Sequence, residues 1–94
     1  MSHLTVQIRY QVHLTLDDLL LALLHDASES GSIPEDREEA LSIIKQIYQC
    51  HGTDLGELED MEEMWIDIAE MNDLPTLEDF RLMCETWFPE VHNK

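Results

Sequence analysis

Between Thr53 and Asp73 the chain carries nine carboxylates, Asp54, Glu57, Glu59, Asp60, Glu62, Glu63, Asp67, Glu70 and Asp73, and no Lys or Arg. The chemistry open to such a set is electrostatic: fixed anions that accept charge-assisted hydrogen bonds from Lys and Arg side chains. Glu59, Glu63, Asp67 and Glu70 recur at three or four residues, so a helix stacks them along one face. Four residues of helix advance about 6 Å, comparable to the step between successive phosphates of a nucleic-acid strand. Like charges at that spacing repel by roughly 0.2–0.5 kcal/mol per pair, so the segment gives up stability to hold them. A merely solvated face carries the same pattern, and the charge of the remaining chain has to separate the two.

The remaining chain does not compensate. The 94 residues include 21 acids and 5 bases, a net charge of −16. Residues 1–52 contain 8 acids and 3 bases (−5), and residues 53–94 contain 13 acids and 2 bases (−11). Direct binding of DNA, RNA or an anionic membrane needs clustered Lys and Arg, so the charge argues strongly against those functions. The complementary partner is a basic protein, and large basic surfaces belong above all to nucleic-acid-binding complexes and nucleases. The candidate partner-binding residues are Glu57, Glu59, Asp60, Glu62, Glu63, Asp67, Glu70 and Asp73.

Other chemistries find less. The chain has no Gly-rich phosphate loop, no His-Glu-x-x-His and no paired Cys-x-x-Cys. Cys50 and His51 are adjacent, but neighbours on a helix point apart. His51 and Asp54 could share a turn near a metal, yet no calcium loop with oxygen ligands around a glycine surrounds them. Glu38, Glu39, Glu62, Glu63 and Asp67 imitate the paired carboxylates with which all-helical nucleotide pyrophosphohydrolases hold Mg²⁺, at spacings that differ from the family's. No catalytic residue, metal ligand or cofactor is expected. Cys50 and Cys84 read as two isolated, reduced thiols.

The elements that must position the acids are mostly helical. A hydrophobic content of 44% argues for a folded domain over disorder, and residues 1–94 read as one small acidic domain. The longest apolar run, Leu19–Leu24, is too short to cross a membrane. No signal peptide opens the chain, so a cytoplasmic setting is expected, that of a bacterial host if the protein is phage-encoded. Residues 4–14 alternate without a break, with Leu4, Val6, Ile8, Tyr10, Val12 and Leu14 on one face, which predicts one long strand. Nothing downstream reads as a second strand, so this one is expected to pair with another chain, making a homodimer through Leu4–Leu14.

Four short helices are predicted to follow. Thr15 caps the first, which runs to about Ala27, with Ser28–Ser32 as a loop. Ser32-Ile33-Pro34-Glu35 fits a capping box for the second, which Gly52 ends. Thr53 or Asp54 caps the third, whose core stripe is Leu55, Leu58, Met61, Trp65, Ile68 and Met71. Asn72-Asp73-Leu74-Pro75 breaks it. Thr76 caps the fourth, which carries Phe80, Cys84, Trp87 and Phe88. Trp65, Trp87 and Phe88 read as core, with Trp87 half exposed. The fold class is therefore mainly α, one N-terminal strand followed by four helices.

A ribbon strand followed by two helices resembles the ribbon-helix-helix DNA-binding proteins. The resemblance covers residues 4–51 and implies that Gln7, Arg9 and Gln11 read bases. It departs at the start of the second helix, where Glu35, Asp36, Glu38 and Glu39 would face phosphate. The expected function is instead a non-enzymatic acidic inhibitor of a basic nucleic-acid-interacting protein. It is similar, in size, charge and want of catalytic motifs, to phage anti-CRISPR and anti-restriction proteins that mimic DNA. The alternatives are an immunity protein or antitoxin that neutralises a nuclease toxin, and a ribbon-helix-helix-like DNA-binding protein.

Overall fold

A computed structural model of the chain describes residues 3–7, 11–52 and 54–91. Its element order is β1 (Leu4–Gln7), β2 (Gln11–Leu14), α1 (Leu16–Ser30), α2 (Arg37–His51), α3 (Leu58–Asn72) and α4 (Leu77–Trp87). The mainly helical class holds. No helix among the described residues is long and apolar enough to cross a membrane.

The N-terminal segment corrects the expectation of one long strand paired with a second chain. β1 and β2 form an antiparallel pair within the chain, with Leu4 opposite Leu14, Thr5 opposite His13, Val6 opposite Val12 and Gln7 opposite Gln11. Ile8, Arg9 and Tyr10 lie outside the described residues. The register explains the misreading. Each residue faces a partner of the same parity, so the period-two pattern passes through the reversal without changing phase. Leu4, Val6, Val12 and Leu14 thus share one face, and Val6 and Leu14 are buried in the core. The intermolecular ribbon implied by the ribbon-helix-helix resemblance is replaced by this hairpin, and so is the stated route to a homodimer through Leu4–Leu14.

Leu16–Ser30 begins with a capping box. The Thr15 hydroxyl accepts from the Asp18 backbone N–H at 3.3 Å, and an Asp18 carboxylate oxygen accepts from the Thr15 N–H at 2.9 Å. Asp17 and Asp18 also complement the positive end of the helix dipole. The helix runs three residues past Ala27 and stops where Gly31 turns left-handed at φ 75°, its N–H donating to the Ala27 carbonyl at 2.8 Å. Leu19 to Leu24 are all buried, because α2, α3 and α4 each pack on α1.

Asp36, not Ser32, caps α2. Its side chain accepts from the Glu39 N–H at 2.9 Å, while Glu39 reaches back to the Glu35 N–H at 2.8 Å. Both four-residue windows fit the capping pattern. The later one is used because Pro34 is buried and Ile33 partly so, which spends that stretch as a cover over the core. The α3 start also moves. Thr53 lies outside the described residues, Asp54 makes no cap, and Glu57 stands at the N-cap without a side-chain bond. Gly56, at φ 88°, breaks the segment, so Leu55 is buried from a loop and not from the helix. The α3 stripe buries Met61, Trp65 and Ala69, with Leu58 and Ile68 partly covered. Met71 corrects the expectation: it is 83% exposed.

Thr76 caps α4 as expected, accepting from the Asp79 N–H at 3.2 Å. Trp65 and Phe80, both wholly buried, meet edge to face at 5.3 Å. Phe88 is buried and Trp87 half-buried. The end of α4 is tied to the start of α2: Arg37 donates to the Trp87 carbonyl at 2.6 Å and forks onto Glu90 at 2.8 and 3.1 Å, above the Phe88 ring.

Candidate functional site

The carboxylates singled out above lie on or beside α3. Glu57, Glu59, Asp60, Glu63, Asp67, Glu70 and Asp73 are exposed. None of their side chains has a hydrogen bond or ion pair among the described residues. Glu62 is the exception. It is half-buried and accepts from Arg81 of α4, which also donates to Asp17 of α1 at 3.2 Å. Glu62 thus joins α3 to its neighbours and is largely withdrawn from a partner.

The remaining acids form a band. Measured round the helix from the buried Trp65 at about 100° per residue, Ile66 stands at about 100°. Glu59, Glu70, Glu63, Asp67 and Asp60 follow between about 120° and 220°, then Met71 and Met64 at about 240° and 260°. Glu59 to Glu70 covers about 16 Å of helix axis. The band is thus flanked by exposed apolar residues: Ile66 at 57% on the α4 side, Met64 at 45% and Met71 at 83% on the other. Of these shoulders only Met71 has a place in the predicted core stripe, and neither Ile66 nor Met64 stands out in the sequence.

Helix electrostatics separates the acids into two groups. Every helix here carries acids in its first turn, where the dipole favours them. Glu59 and Asp60 are accounted for in that way. Glu63 and Asp67 lie mid-helix, beyond the reach of the dipole, and Glu70 and Asp73 reach the C-terminal end, where the dipole opposes anions and α3, like α1 and α4, has no basic residue in its last turn. Neither capping nor pairing explains that half of the band.

The C-terminal half of α3 also borders a groove of about 430 Å³ against the loop into α4. Ile66, Ala69, Leu74 and Leu77 form its apolar walls, and Glu70 and Asp73 contribute carboxylates. Asp73 makes the reversal by adopting a left-handed conformation at φ 55°. The Leu74 N–H donates to the Ala69 carbonyl at 2.9 Å, and the Trp65 indole N–H donates to the Pro75 carbonyl at 3.1 Å.

The other candidates are dispersed. His51 does not face Cys50, which is exposed; its ring lies 4.7 Å from that of His25 on α1. The His25 Nδ1 atom is buried without a hydrogen-bond partner among the described residues. Cys84 is buried, and burial pushes its thiol up to about 12. Glu38 and Glu39 open α2, which packs on α1, while Glu62, Glu63 and Asp67 belong to α3, which packs on α1 and α4. No group of three or more His, Cys, Asp or Glu side chains converges to hold a metal among the described residues. Gln7 and Gln11 are exposed opposite each other on the hairpin.

Compared with protein-family models, curated proteins and solved structures, the chain matches none.

Proposed function

We propose that this protein is a non-enzymatic acidic binding protein that blocks a basic, nucleic-acid-interacting protein. The α3 band takes the place of phosphates, in the style of phage anti-CRISPR or anti-restriction inhibitors. One observation carries the reading: exposed carboxylates without a partner among the described residues run along one face of α3 from its first turn to its end, where helix electrostatics disfavours them. A cationic partner supplies the stabilisation that the isolated chain lacks. Association with it is steered by charge, fast, and weakened by salt. With its strands paired within the chain, the reading needs no second copy, and a single protomer presents the whole band.

The test is capture from a bacterial lysate on the immobilised protein, eluted in steps of rising salt and identified by mass spectrometry. The reading expects basic nucleic-acid-binding proteins, released by moderate salt. Retention of acidic or membrane proteins, or of partners indifferent to salt, would overturn it.

A further inference from the structure

The groove between the C-terminal half of α3 and the start of α4 has features that phosphate mimicry does not use. Scattered exposed apolar residues need no explanation, but Ile66 opens directly into an apolar hollow. On its own helix it has Glu62 four residues before, Glu63 three before and Glu70 four after, all neighbours on one surface. The elements that form the hollow are also tied to one another. The Trp65 indole N–H donates to the Pro75 carbonyl, Thr76, which lines the groove, caps α4, and Arg81 of α4 holds Glu62 of α3. A preformed apolar site loses little entropy on binding.

We propose that this groove receives an apolar side chain of a basic polypeptide segment whose flanking Lys or Arg residues engage Glu63, Glu70 and Asp73. The proposal rests on the basic-partner reading above and names the part of the partner that meets this surface. Charge complementarity selects the occupant. No Lys or Arg among the described residues lines the groove, and Arg81 nearby is already engaged by Glu62 and Asp17, so the free charges facing an occupant are the carboxylates of Glu70 and Asp73; a second copy of this chain would bring its own acids. A nucleic acid is excluded on the same ground. The volume of about 430 Å³ falls within that of clefts that bury a small ligand, roughly 300–1,000 Å³, and admits an aliphatic or aromatic side chain with room to spare. An apolar anchor ringed by charged contacts is also the arrangement in which a few residues dominate an interface.

The experiment titrates ¹⁵N-labelled protein with the peptide Lys-Arg-Lys-Leu-Lys-Arg-Lys and with the same peptide carrying Gly in place of Leu. The Leu peptide should bind about tenfold tighter, as burial of most of one leucine side chain implies. Its shift changes should centre on the amides of Ile66, Glu70, Leu74 and Leu77 and on the Trp65 indole N–H. The advantage should survive added salt that weakens both peptides, and I66Q should abolish it while leaving the Gly peptide unaffected. Equal affinity of the two peptides, or a Leu-specific response elsewhere, overturns the groove assignment and leaves the acidic-surface reading standing. Failure of both peptides to bind also overturns the groove assignment, while the acidic-surface reading stands or falls on the salt-stepped capture.

Discussion

Arg81 on α4 holds the carboxylate of Glu62 on α3, and the same guanidinium reaches Asp17 on α1 at 3.2 Å. Three helices are thereby fastened at one point, and one acid of the α3 band is turned to structure. The groups are partly exposed, with side-chain accessibilities of 24–41%, so the network is weaker than a buried one. R81Q should lower stability by about 1 kcal/mol, at the upper end for exposed pairs. The loss should shrink in E62Q, since the two substitutions remove the same contact. Urea denaturation of the two single variants and the double variant measures this coupling.

The Trp65 indole does two things, filling the core against Phe80 and bonding the Pro75 carbonyl. W65F keeps the first in part and loses the second, and should cost on the order of 2 kcal/mol. I66Q changes the adjacent exposed position and should stay within about 0.5 kcal/mol of the parent. Thermal unfolding followed by circular dichroism distinguishes them: a large loss from I66Q would place Ile66 in the core and not on the surface.

Asp73 occupies the left-handed region as a non-glycine residue. D73G should raise stability by roughly 0.5 kcal/mol, relief of backbone strain outweighing the greater freedom of glycine when unfolded. D73A removes the same charge without the conformational relief and should not stabilise. Comparing their urea midpoints separates backbone from electrostatics at this corner.

Acid should act in opposite senses at two carboxylates. The hydrogen bonds from Arg37 hold Glu90 below its ordinary value of 4.5. A folded pKa below the unfolded one contributes stability that is present above the unfolded value and is lost as pH falls through the folded one. E90Q should therefore lower stability at neutral pH, by less than about 1 kcal/mol, and flatten the acid limb below 4.5. Asp26 is raised, by burial first and then by Glu29. Its charged form is disfavoured in the fold, so D26N should be neutral or stabilising at neutral pH and the gain should vanish in acid. Unfolding midpoints across pH check both signs.

What could be read from the chain was whatever depended on local chemistry. The Thr15 and Thr76 caps, the Gly52 stop and the helical face of Glu59, Glu63, Asp67 and Glu70 all follow from spacing within one turn or two. The hairpin did not, because its register preserves parity and so hides the reversal. Ser32 and Asp36 offered equivalent caps, and only the burial of Pro34 chose between them. Met71 was reached from Trp65 by two three-residue steps, which drift by about 60° each round the helix and together carry it off the buried face. The groove was invisible for a further reason: it joins Ile66 to Leu77 through the left-handed turn at Asp73, a conformation a non-glycine residue does not announce.

The central claim is that the exposed band of α3 occupies the nucleic-acid site of a basic protein. The most direct measurement takes the captured partner, binds it to fluorescently labelled duplex DNA, and titrates in this protein or its E59Q/E63Q/D67N/E70Q variant. Removing the like charges should leave α3 as stable or slightly more so, by roughly 0.2–0.5 kcal/mol per pair. The account predicts that the parent displaces the DNA, less effectively as salt rises, and that the neutralised variant, equally folded, fails to. Displacement by the variant equal to that by the parent, or a partner that binds the protein while keeping its DNA, would contradict it.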